Sequence, residues 1–135
     1  MEVPLALLAD YANVSRENKL NVMGVFNRIW ANEFPATHSE MQLVFRLEAG
    51  PAERGQEKTI EVKLLDADGD TIQHLKGAVS LPKESRELVI QIDQILKLAN
   101  VVFEKAGAYR FDILVNGETK RVVEFAVERL PTESD

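Results

Sequence analysis

Strict alternation of apolar and polar side chains is what most restricts the folds open to this chain. Leu43, Phe45 and Leu47 alternate with Gln42, Val44, Arg46 and Glu48. The same pattern recurs in Ile60-Val62-Leu64, Leu88-Ile90-Ile92, Tyr109-Phe111-Ile113-Val115 and Val123-Phe125-Val127. Successive side chains of a strand point to opposite faces, so a period of two marks a sheet with one buried face. The inward residues are mostly β-branched or aromatic, as strands prefer. No window keeps the i, i+3, i+4, i+7 spacing of an amphipathic helix free of stronger alternation. One stretch competes with the strand reading. Ile95, Leu96, Leu98, Val101, Val102 and Phe103 predict a short helical turn over residues 94–99.

Three further segments are strands of less regular pattern. Residues 3–14 are nearly all apolar, as in a strand covered on both sides. Residues 19–31 alternate at Leu20 and Val22, then slip near Gly24, which predicts a bulge there. Beyond the slip, Phe26 and Trp30 share a face by parity. Residues 71–81 keep Leu75, Gly77, Val79 and Leu81 in phase. Turn residues separate the runs at Ser15-Arg16-Glu17-Asn18, Gly50 to Gly55, Asp68-Gly69 and Asn116-Gly117. At the last turn parity carries information. A two-residue turn would pair Phe111 with Val122, yet the core face of the return strand is Val123, Phe125 and Val127. Opposed residues share a face, so one extra residue is required, in a three-residue loop or a bulge at Val122-Val123.

About eight short strands with few helices predict an all-β fold, an antiparallel β-sandwich of immunoglobulin-like type. The 135 residues suit one domain, spanning 1–130, with a loose tail at 131–135. Tyr109, at the start of the penultimate strand, is placed to hydrogen-bond back to the corner at Leu98 to Phe103, or to act as a plain core residue.

These residues also resemble a known family. Leu8-Ala9-Asp10-Tyr11-Ala12 followed by Lys19-Leu20-Asn21-Val22-Met23-Gly24-Val25-Phe26 is similar to the "LADxA…GKLxxxGxF" opening of a family of small bacterial proteins of unknown function. Phe34-Pro35-Ala36-Thr37-His38 resembles its "FPxxH" loop, and Phe103 to Phe111 its "FpepGxYxF" segment. Val115-Asn116-Gly117 matches its "VxG" hairpin. The likeness runs from Val3 to Val127. It departs at Lys105-Ala106, where the family often has proline. It implies a cytoplasmic β-sandwich and supplies no activity.

Chemistry is sparse. Sixteen basic against 22 acidic residues give a net charge of −6, which argues against nucleic acid as a partner. Cysteine is absent, which removes thiolate catalysis, disulfides and Cys-ligated metals. No apolar run reaches the ~20 residues of a membrane helix, and no basic segment precedes the apolar start, so a cytoplasmic protein away from membranes is expected. Asp66, Asp68 and Asp70 flank Gly69, but the calcium-loop spacing fails, with Thr71 and Gly77 at its sixth and twelfth places. They read as a solvated turn, with a weak surface cation site as the alternative. A zinc site on His38 or His74, the only histidines, would need two or three more ligands, for which carboxylates such as Glu33 and Glu40 could serve; a structural or surface role is the expectation for both, and His74 falls on an outward position. None of Ser15, Ser39, Ser80, Ser85 and Ser134 lies in a G-x-S-x-G elbow, and nucleotide-binding glycine loops are missing.

The expectation is therefore a protein that is not an enzyme and needs no cofactor or metal. It would act as an interaction or assembly module, through a protein partner or a homo-oligomer. The candidate contact surface is Phe26, Trp30, Phe34, His38 and Leu114, with Val44, Leu65 and Val89 also pointing outward. The alternative is a small-ligand or carbohydrate-binding sandwich, with Trp30 as stacking platform and the His38 loop at its rim. A hydrolase using carboxylates and His38 stands third.

Overall fold

A computed structural model describes residues 1–131. Apart from Pro131, the tail expected at 131–135 lies outside the described residues. Nine strands form: β1 (Glu2–Val14), β2 (Leu20–Phe26), β3 (Arg28–Ala31), β4 (Ala36–Ala49), β5 (Glu57–Leu65), β6 (Thr71–Ser80), β7 (Ile90–Phe103), β8 (Gly107–Val115) and β9 (Glu118–Arg129). The one helical element among the described residues is a 3-10 turn at Pro51–Glu53. One sheet runs β2-β1-β4-β7 and the other β3-β9-β8-β5-β6. All pairings are antiparallel except β3 with β9, which is parallel. The core lies between the sheets. Leu43, Phe45 and Leu47 from the first meet Val62, Leu64, Phe111 and Ile113 from the second. Phe125 centres an aromatic group, stacked on Phe111 at 5.5 Å and edge-on to Phe103 at 5.9 Å.

The helical turn expected at 94–99 is strand. Ile90 to Phe103 pairs with β4 in one register throughout, from Ala49 opposite Ile90 to Ala36 opposite Phe103. Two causes made it look helical. Its outer face carries Ile95, opposite the fully buried Val44, so apolar residues fall on both faces. Leu98 and Val101 are also both in the core, three residues apart. An extended strand cannot do this unless its backbone turns over between them. Asn100, in the left-handed region at φ 53°, makes that turn.

No bulge forms at Gly24. β1 and β2 keep one register on either side of it, with Ala9 opposite Val25 and Tyr11 opposite Met23. Gly24 adopts φ 71° beneath the Asp10 side chain instead. The phase break expected within 19–31 is a change of sheet. β2 ends at Phe26, and β3 crosses to the other sheet beside β9. Phe26 and Trp30 therefore do not share a face. Leu88, read as the start of a strand, precedes β7 and is 80% exposed.

The extra residue demanded at the last hairpin is present, at Lys120. The two-residue turn pairs Val115 with Glu118 and Leu114 with Thr119; Ile113 then faces Arg121. Skipping Lys120 restores Phe111 opposite Val123 and Tyr109 opposite Phe125. The bulge lies nearer the turn than Val122-Val123, where the strand is still short of the core. The Tyr109 hydroxyl donates to the Lys105 carbonyl, two residues beyond the corner expected for it.

Gly24→Ala should cost about 1–3 kcal/mol, because a Cβ there would stand 2.5 Å from Asp10 Oδ2 on a left-handed backbone. Gly69→Ala, at φ 83° with open space around it, should cost about 1 kcal/mol from backbone strain alone. Adding Asp10→Ala to Gly24→Ala should recover part of the loss in urea denaturation. Equal costs at the two glycines would contradict the close approach.

Candidate interaction site

The residues expected to form one contact surface are dispersed. Phe26 and His38 do meet, with ring centroids 6.1 Å apart. Both are partly buried, and His38 Nε2 is enclosed with no hydrogen-bond partner. Phe34, ahead of β4, packs against the core. Trp30 is on the other sheet, 48% exposed, with the Arg28 guanidinium 5.5 Å above its ring and paired to Glu128. A face intended for stacking sugar is thus covered by a cation. Leu114 is 8% exposed, so it offers no contact surface. It belongs to β8, which has β9 on one side and β5 on the other, and central strands are screened by their neighbours. Val44 and Leu65 are also buried, while Val89 is exposed.

The feature that sequence reading missed lies where both sheets end. β6 closes one sheet with β5 as its sole neighbour; β7 closes the other, bonded to β4 alone. Between these two edges an apolar slot of about 150 Å³ opens towards the core. Phe45 and Val62 form its floor, Leu75 and Gly77 one rim, Gln94 and Leu96 the other. Gln94 faces inward because it opposes Phe45 in the register. An inward polar residue and a lysine, Lys97, are marks of a strand edge. Those signals were in the sequence, yet alternation alone does not tell an edge strand from a central one. At Gly77 a side chain would meet nothing within 4 Å, so the β6 rim is open.

Several charged groups, at this edge and elsewhere, are engaged in local pairs. Arg46 and Asp93, opposed on β4 and β7, make two hydrogen bonds of 2.7 and 3.3 Å. The Asp93 hydrogen bond raises the Arg46 pKa above its ordinary value. Glu53, in the 3-10 turn, gathers the amino group of Met1 at 2.6 Å, Lys58 at 3.0 Å and the backbone N–H of Gly50 at 2.8 Å. The ammonium of Met1, above all, lowers the Glu53 carboxyl to about 2. His74 contacts Glu61 at 2.8 Å on the outer face of its sheet, in the other sheet from His38. Asp66, Asp68 and Asp70 do converge, but Asp66 Oδ1 accepts the N–H groups of Asp68 and Asp70, and Lys105 holds Asp68 at 3.0 Å. Asp66 thus builds the turn, and Lys105 neutralises Asp68.

Fold and site together define a two-sheet all-β domain with one open, edge-lined side. The chain belongs to a family of unknown function, DUF6941, whose profile matches residues 4–128. A comparison with curated proteins finds no match. Among solved structures, the chain is similar to an alkylpurine DNA glycosylase, AlkC, of Pseudomonas fluorescens bound to DNA containing an abasic site analog. The TM-score is 0.53 and the identity 17%, over 91% of this chain and 30% of that one. A glycosyl hydrolase family 2 member from Bacteroides cellulosilyticus aligns at TM-score 0.38 and 11% identity, over 67% of this chain and 13% of that one. The first likeness shows a shared fold, and this chain spans less than a third of that enzyme's length.

Because the Glu53 carboxyl is lowered on folding, its contribution is present above the ordinary value of 4.5 and fades as pH falls towards about 2. Glu53→Gln should lose roughly 1–3 kcal/mol at pH 7, allowing for partial exposure, and flatten the stability profile across that interval. Thermal unfolding measured from pH 7 down to 2 checks this; parallel profiles for the two proteins would contradict it.

Proposed function

We propose that this domain is a non-catalytic interaction module whose contacts form on the open side between β6 and β7. The observation that carries this reading is the pairing of two unpaired sheet edges with an apolar slot between them. An edge strand presents free N–H and C=O groups in a fixed row, which an extended segment can complete as an added strand. Alternate side chains of that segment would enter the slot against Leu75 and Leu96, so backbone bonds give affinity and the slot selects side chains. Catalysis is a poorer reading, since among the carboxylates that take part in clusters Asp66 holds a turn, and Asp68 and Glu53 hold cations.

A displayed library of 12-residue random peptides, panned on the immobilised domain, tests the proposal. Selected peptides should alternate apolar and polar residues. Gly77→Phe, which fills open space at the rim, should leave the Tm within a few degrees and weaken those peptides more than tenfold. Equal binding by the variant, or no enrichment over a bare surface, would refute the assignment.

A further inference from the structure

We infer that the β7 edge pairs antiparallel with the β7 edge of a second copy of this chain, in a register centred on Ile95. This rests on the reading of the open side as the interaction face and names its occupant. Opposed residues in an antiparallel pair share a face. A two-fold axis joining a strand to itself must therefore pass through a residue, never between two. From Ile90 to Ala99 the strand carries two charged side chains, Asp93 and Lys97. They are four residues apart, so one axis position, at Ile95, sets each opposite the other. Asp93 of each copy then faces Lys97 of the second copy, twice across the interface.

The rest of the register agrees. Asn100 turns the backbone over at φ 53°, which ends the regular run at Ala99. About Ile95, nine of the ten residues of that run, Gln91 to Ala99, find a partner in the second copy. On the outer face Ile95 meets Ile95; on the core-side face Ile92 meets Leu98 and Gln94 meets Leu96. Asp93 is already bonded to Arg46 from the neighbouring strand, whereas Lys97 makes no ion pair among the described residues. Arg46, Asp93 and Lys97 of the second copy thus form a row of alternating sign. Moving the axis by one residue sets Asp93 or Lys97 against the apolar Ile95 instead, and like-for-unlike matching of this kind selects register. The product is a continuous sheet in which two four-stranded sheets become one of eight.

The absence of cysteine makes the test direct, because Ile95→Cys then carries one thiol per chain. A short bifunctional maleimide should link Ile95→Cys into a covalent dimer, and should not link Ile72→Cys on the β6 edge. Sedimentation of the unmodified chain should show a concentration-dependent dimer, and Lys97→Glu should raise its Kd at least tenfold. A monomer at all concentrations would overturn the inference, as would a dimer indifferent to Lys97→Glu or one crosslinked at Ile72→Cys. If the chain is a monomer but still selects peptides that Gly77→Phe rejects, the second copy is excluded and the open-side reading stands. If both fail, both fall.

Discussion

Opposed residues on neighbouring strands must face the same way, and the two sheets meet around one place where the sequence would otherwise break that demand. The tight turn at Asn116-Gly117 sets β9 one residue out of phase with β8. Lys120 absorbs the mismatch by leaving the ladder. Only then do Phe111 and Val123, and Tyr109 and Phe125, point inward together. The aromatic group that fills the sandwich, with Phe125 between Phe111 and Phe103, exists because of that single skipped residue. Without it, Val122 and Glu124 would face the core, and a strand slipped by one residue loses its whole buried face.

The second governing constraint is the treatment of edges. Four strands end the two sheets: β2, β3, β6 and β7. β3 is four residues long, too short to template much. β2 is interrupted by the left-handed Gly24 and β7 by the left-handed Asn100. Such interruptions twist an edge away from generic pairing. Besides β6, whose ten residues carry no such interruption, they leave one long regular stretch, the first ten residues of β7. It is broken by a polar residue facing in and two opposite charges facing out. That combination discourages indiscriminate association while leaving room for a matched partner.

Much of this was legible beforehand, and the failures share a cause. Alternation located β4, β5, β8 and β9 because each keeps a run of core residues in one simple phase. The need for an extra residue before Val123 followed from parity alone. The helical reading of 94–99 failed because β7 is apolar on both faces and changes phase at Asn100. The run from Leu20 to Ala31 failed because a change of sheet and a change of phase look alike in one dimension. The candidate contact residues fared worst. Leu114 looked exposed by parity, but exposure depends on neighbouring strands, and Trp30 looked available until Arg28 was found above it. The slot between β6 and β7 had no linear signature, since it is made by two strands that never pair.

The parallel pairing of β3 with β9 has a consequence for how the chain acquires its shape. Arg28 is hydrogen-bonded into the sheet beside Ala126, so partners almost a hundred residues apart in sequence lie side by side. During vectorial synthesis β3 emerges early and waits for a strand that is made last of the nine. Until then Ile29 has no core to enter and Trp30 no sheet to lie on. Long-range closures of this kind slow folding, because chain entropy is lost before the contacts that offset it are made. Until β9 is made, the nascent chain therefore carries an uncovered aromatic and an unpaired strand, and exposed surface of that kind is open to misassociation.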